Sequence, residues 1–241
     1  MALGLMIVVE LIARLGLVDK TTLLPFTQWV TAALRLLTDG DFYRVAVIPS
    51  FTAIIASFIL SSLLGVLLGY LIWRLSGVRR ALDPYLTAYY AIPTFALYPL
   101  LVALWGTGRG PIILLSTLFS MVAVITNSMN GYDRVPSVVR KLAQSLDVNE
   151  RQYFSKFFLP YAMPYILVGL RLAALYSLLS VMAAEFLLSN RGIGFFVSNA
   201  YTVFNLEDMY GAILIILVVA IFVERVITWL VNRLTWVGSL Q

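Results

Sequence analysis

Long apolar runs broken by short polar corners dominate the chain. Residues 46–73 are almost uninterrupted in their apolar character and close on Trp73-Arg74. Similar runs occupy 84–105, 112–129, 161–188 and 209–230. A bilayer core of ~30 Å is crossed by about 20 apolar residues in a helix, so each run is long enough to span it. Residues 2–18 form a further run in which Glu10 and Arg14 stand four apart, one helical turn, where they pair with each other or with a neighbouring helix. That run lacks the basic start and clean apolar centre of a signal peptide, and we expect it to be retained as a first span. The pattern thus predicts an all-α membrane protein with about six transmembrane helices in one domain, residues 1–241.

Two stretches depart from the apolar rule. Residues 25–38 place Phe26, Trp29, Val30, Ala33 and Leu37 on one side of a helix and Thr27, Gln28, Thr31 and Arg35 on the other, which predicts a helix lying in the membrane interface. Residues 132–160 are more polar still. Val138, Val139, Leu142, Ala143 and Leu146 recur at helical spacing, and Asn149 is a good N-cap for a second helix carrying Tyr153, Phe154, Phe157 and Phe158. Pro160 is expected to end that second helix, because proline cannot continue the hydrogen-bond ladder. Two short amphipathic helices joined by a tight corner suggest a docking surface for a soluble partner. In the 84–105 run Pro93 and Pro99 break the ladder, as membrane helices tolerate where neighbours or a water-filled cavity satisfy the released carbonyls.

Composition narrows the chemistry. Of 241 residues, 61% are hydrophobic and 12% charged, about half the charged share of a soluble domain. The chain has neither histidine nor cysteine, which removes zinc sites, disulfides and His- or Cys-based catalysis, and we assign no catalytic residue and no metal. Its net charge of +5 is read as a topology signal and not as a nucleic-acid footprint. The 106–111 turn, GTGRGP, lacks the Gly-Lys-Ser/Thr ending of a phosphate loop, and none of Lys20, Lys141 and Lys156 follows a glycine.

The segment 140–160, RKLAQSLDVNERQYFSKFFLP, resembles the EAA loop of ABC importer permeases, whose pattern runs Glu-Ala-Ala, then Gly, then Leu-Pro. Aligned on Leu159-Pro160, Ala143 fills the third motif position, while Lys141 stands in place of the Glu and Asp147 in place of the Gly. Asp is among the few residues besides Gly that tolerate φ > 0, so Asp147 preserves the corner. The flanking stretches LDPYLTAYYAIPTFALYPLL, LPYAMPYILVGLRLA and AEFLLSNRGIGFFV are similar to the nitrate/sulfonate/taurine-type branch.

The resemblance implies a type I importer permease fold and a non-catalytic transmembrane subunit. Its partners would be two ATPase subunits that bind ATP and Mg, a second permease chain (a homodimer preferred over a heterodimer), and an extracytoplasmic solute-binding protein. The membrane would be the bacterial or archaeal inner membrane, with the docking loop and both termini cytoplasmic. The solute would be a small anion, a sulfonate or a small heterocycle. Docking residues would be Ala143, Leu146, Asp147, Tyr153, Phe154 and Phe157. Polar residues of the middle spans, Thr94, Tyr98, Asn127, Ser177 and Ser180, are candidates for the translocation pathway, although Ser and Thr in such helices commonly bond backbone instead. Arg171 either meets an anionic substrate or braces the bundle; the family shares its Gly-Leu-Arg stretch whatever the substrate, which favours bracing. Glu185 is expected to find a structural partner on another helix. The alternative is a secondary transporter or channel working without an ATPase, for which inverted repeats and ion-coupling charges at mid-membrane would be expected.

Overall fold

The computed structural model describes residues 2–15, 18, 23–91 and 94–238. Among them every regular element is helical: α1 (Ala2–Arg14), α2 (Phe26–Thr38), α3 (Gly40–Phe42), α4 (Ile48–Arg74), α5 (Ser76–Ala88), α6 (Tyr98–Trp105), α7 (Arg109–Asp133), α8 (Ser137–Ser145), α9 (Glu150–Tyr153), α10 (Leu159–Leu188), α11 (Ile193–Thr202) and α12 (Leu206–Gly238). Among the described residues four helical runs are long and apolar enough to cross a bilayer: Gly40–Arg74, Arg109–Asp133, Arg151–Thr202 and Leu206–Arg233.

Two of the six expected spans take a different form. α1 has 13 residues, about 20 Å at 1.5 Å per residue, and is shorter than a bilayer core. The 84–105 run is divided. Pro84 lies inside α5, 3₁₀ turns follow at Tyr89–Ala91 and Thr94–Leu97, and Pro99 opens the eight-residue α6. Pro93 lies outside the described residues.

The core is the antiparallel pairing of α7 with α10, with α4 packed along α7. Small residues set how closely these helices approach. A Cβ on Gly65 of α4 would stand 2.5 Å from the Val124 Cβ of α7. One on Gly131 of α7 would be 2.9 Å from the Ala162 carbonyl of α10, and one on Gly169 of α10 would be 2.9 Å from the Asn127 Cβ. Between the last two contacts and the far end, the buried Ser177 hydroxyl donates to Ser120 Oγ across the pair at 3.1 Å.

The helix expected over residues 25–38 forms at Phe26–Thr38. It packs on the first half of α12, where Trp29 stacks on Tyr210 at 4.4 Å, Ala32 sits over Gly211, and Arg35 pairs with Asp208. At its start, Glu10 accepts from the Thr27 backbone N–H at 3.1 Å while pairing with Arg14 at 2.6 Å, tying α1 to α2. A carboxylate there satisfies an N–H that the helix itself leaves unpaired.

Pro160 does not end its helix either. Residues 150–188 run as one continuous helix, because Phe154–Phe158 form a π-helical turn in which the Leu159 N–H reaches back to the Phe154 carbonyl. The wider turn moves carbonyls out of the way of the proline ring, which would clash in a regular α-helix. The same device precedes Pro49, where Tyr43–Val47 are π-helical and the Ile48 N–H bonds the Tyr43 carbonyl.

Gly65→Ala should therefore strain the α4–α7 contact by about 1–3 kcal/mol and lower the melting temperature of the detergent-purified protein. Gly77→Ala is its control, since nothing lies within 4 Å of a Cβ there. That variant should melt at the native temperature or slightly above it.

Candidate coupling surface and translocation groove

The polar loop is anchored at its start. Asp133, the last residue of α7, accepts two hydrogen bonds from the Arg79 guanidinium, at 2.7 and 2.6 Å, and one from Trp73 Nε1 at 3.0 Å. Those bonds raise the Arg79 side chain above its ordinary pKa. α8 then closes with a Schellman arrangement: the Val148 N–H bonds the Ala143 carbonyl at 3.0 Å, and Asp147 takes φ 50°. Asn149 caps the next helix, its Oδ1 accepting from the Gln152 N–H at 2.9 Å.

α8 has two faces. Val139 and Ala143 are buried, on a helix that packs against the π turn. Val138, Leu142 and Leu146, four residues apart, are 68%, 51% and 60% exposed, and Lys141 and Asp147 are exposed with them. Ala143 is thus an inward-packing residue. Tyr153, Phe154 and Phe157 are half-buried. Tyr153 and Phe154 join an aromatic cluster with Tyr70, Trp73, Tyr132 and Phe158, in which Phe158 stacks on Tyr132 at 5.3 Å and on Phe154 at 5.6 Å. These rings fasten the loop to α4 and α7. Of the expected docking residues, Leu146 and Asp147 face outward; Val138 and Leu142 complete the exposed row. The heptad-like spacing held all five apolar positions, and only packing divides them into an inner and an outer face.

The expected pathway residues are not gathered on one open surface. Thr94, Tyr98, Ser177 and Ser180 are buried, and the Tyr98 hydroxyl donates to the Leu188 carbonyl at 2.9 Å. Asn127 borders a groove of about 640 Å³, shared with Asn130, Asp133, Arg134, Tyr165 and Val168 at the loop end of α7 and α10. At the opposite end, Arg109 and Arg191 line a cavity of about 250 Å³ above Glu185.

The two structural charges have partners on other helices. Arg171 Nη2 lies 2.6 Å from Glu224 Oε1 on α12, a partner that the sequence reading missed because the acid falls near the end of another apolar run. Glu185, fully buried, accepts from Ser50 Oγ of α4 at 2.7 Å and from the Gly194 N–H at 3.1 Å, while Ser50 Oγ accepts from the Ile193 N–H at 2.8 Å. Gly192, at φ 108°, lies so close to the Glu185 carboxylate that no side chain would fit. Together they pin the start of α11 onto α4 and α10.

The sequence profile of the family described as "Binding-protein-dependent transport system inner membrane component" matches residues 61–236. The chain belongs to that family. Its relatives include the taurine transport system permease of Escherichia coli, 32% identical and aligned over 80% of this chain and 70% of that one. The nitrate import permease of Synechocystis is 28% identical over 77% of this chain and 68% of its own. The putative aliphatic sulfonates transport permease of Bacillus subtilis is 28% identical over 96% and 84%. Among solved structures, a chain of the inward-facing MetNI methionine ABC transporter has the same fold, with a TM-score of 0.67, 14% identity, and coverage of 78% of this chain and 94% of that one. The protein is accordingly a permease subunit of an ABC importer, an inner-membrane component with the type I importer fold.

Three substitutions test the charges of this permease. Glu185→Ala would leave the Ser50 hydroxyl and the Gly194 N–H short of a buried partner, at about 1–3 kcal/mol each, and should sharply lower the yield of folded protein. Arg171→Glu should destabilise the bundle, and adding Glu224→Arg should recover most of the loss in melting temperature. Absence of recovery would show that the pair does not brace α10 against α12.

Proposed function

We propose that this permease docks a cytoplasmic ATPase through the exposed row Val138, Leu142 and Leu146 on α8, and passes the ATPase's movement to the bundle through the rigid helix of residues 150–188. The observation that carries the reading is the exposure of three large apolar side chains on a short helix outside the bundle, beside a corner braced by Asp147 and Asn149. Apolar surface of this kind marks a binding face. Two ATPase subunits, which bind ATP and Mg, would serve two permease chains, and a homodimer is preferred because closed symmetric pairs are the commoner solution. The loop side is cytoplasmic in this reading, as the basic residues around it, among them Arg74, Arg79, Arg80, Arg134 and Lys141, favour. Both termini then face the cytoplasm.

The solute is a small anion or sulfonate. The names of the nitrate, bicarbonate, taurine and sulfonate relatives support this class, as do Arg109 and Arg191, two cations that line the far-end cavity with the single carboxylate of Glu185. A formylaminopyrimidine permease among the relatives keeps small heterocycles within the range. An extracytoplasmic binding protein would deliver the solute, and the Asn127–Tyr165 groove would lie on its way out.

Leu142→Asp should release the ATPase from the detergent-purified complex and abolish ATP-dependent uptake, with the melting temperature of the permease unchanged. Phe158→Ala removes a buried ring of the aromatic cluster, and should instead lower stability by about 3–5 kcal/mol. ATPase retention and uptake that survive Leu142→Asp, or uptake that proceeds without ATP, would overturn the docking role and favour a transporter that needs no ATPase.

A further inference from the structure

Beside the coupling loop, on the side of α4, lies a groove of about 790 Å³ that neither the docking row nor the solute path uses. Its walls are Tyr70, Trp73, Tyr153 and Phe154, and Arg74 and Arg151 stand at its rim. Both arginines are exposed, and among the described residues neither has an ion-pair partner. The groove continues along α4. Leu63, Leu67, Tyr70 and Arg74 fall at i, i+4, i+7 and i+11 and so share one helix face, on which Leu63 is 66% and Leu67 55% exposed.

The combination runs in a fixed order along the helix axis: guanidinium, aromatic ring, then aliphatic side chains. Trp and Tyr concentrate where headgroups meet hydrocarbon, and the leaflet facing the cytoplasm carries the anionic lipids. We propose that this groove is a headgroup site for an anionic phospholipid. The phosphate is held between Arg74 and Arg151, the glycerol region lies against Trp73 and Tyr153, and an acyl chain follows Leu67 and Leu63 along α4. The assignment rests on the loop side being cytoplasmic, as proposed above. A protein surface fits less well, because half of the site is an aliphatic stripe at the depth of the bilayer, out of reach of a soluble subunit. The placement also gives the site a consequence: Tyr153 and Phe154 belong to the segment that fastens the coupling loop, so a bound lipid braces the loop against α4.

Native mass spectrometry of the detergent-purified permease, with and without its ATPase, reads the site directly. The native protein should retain phosphatidylglycerol or cardiolipin, but not phosphatidylcholine, through repeated detergent washing. Arg74→Gln with Arg151→Gln should weaken retention about 30-fold, roughly fivefold for each guanidinium, while the ATPase stays bound. Arg80→Gln, a basic residue at the same end that does not line the groove, is the control and should change nothing. Equal retention by the double variant, or an equal loss in the Arg80 variant, would overturn the site. Loss of the ATPase with lipid retention unchanged would overturn it as well, by giving the groove to the soluble subunit. Because lipid is read on the permease by itself, failure here is distinguishable from failure of the docking role.

Discussion

Lipid tails are as apolar as leucine, so a bilayer does not drive one apolar helix onto another; contact depends on how closely two backbones can come and on the polar bonds they then make. The bundle is built around that constraint. Gly65 and Gly69 let α4 lie on α7, and Gly131 and Gly169 let α7 lie on α10. Two of the serines buried in these seams donate to backbone, Ser57 to the Ala53 carbonyl at 2.7 Å and Ser120 to the Ser116 carbonyl at 2.6 Å. Larger side chains at these positions would separate the helices, and the ends of the bundle would lose their registration.

Registration matters because the ends do different things. At one end Glu185, Ser50 and the 192–194 backbone hold α4, α10 and α11 together. At the other end the aromatic cluster and the Asp133–Arg79 pair hold α4, α7 and the coupling loop. The helix of residues 150–188 joins the two, and it can do so only because the π turn absorbs Pro160. A break there would have left the loop hinged to the bundle. The continuous helix instead joins the loop without a break to the span that carries Arg171 and Glu185.

The two departures from the importer loop pattern have separate physical accounts. Asp147 keeps the left-handed corner that glycine would supply, at φ 50°, and the Schellman bond follows from it. Lys141 stays exposed beside the apolar row.

Much of this architecture was legible in the order of the residues. Unbroken apolar runs long enough to cross a bilayer as helices take that form there, since every backbone polar group needs an internal partner; the runs at 46–73, 112–129, 161–188 and 209–230 appear as such, and the Asn149 cap and the Glu10–Arg14 pair follow from local spacing. What periodicity cannot convey is which neighbour covers a face. It did not separate Ala143 from Leu142, did not show that Tyr153 and Phe154 point into the bundle, and did not pair Arg171 with Glu224, fifty-three residues away. It did not show that α12 receives α2. It took Pro160 as an end because the α-helical rule is local, whereas the π turn persists through the packing of Phe154 and Phe158 on Tyr70, Trp73 and Tyr132. The sequence by itself determined the solvent in which the chain folds and the helices that solvent demands; tertiary structure decided which side of each helix meets protein, because that depends on contacts between residues far apart in the chain.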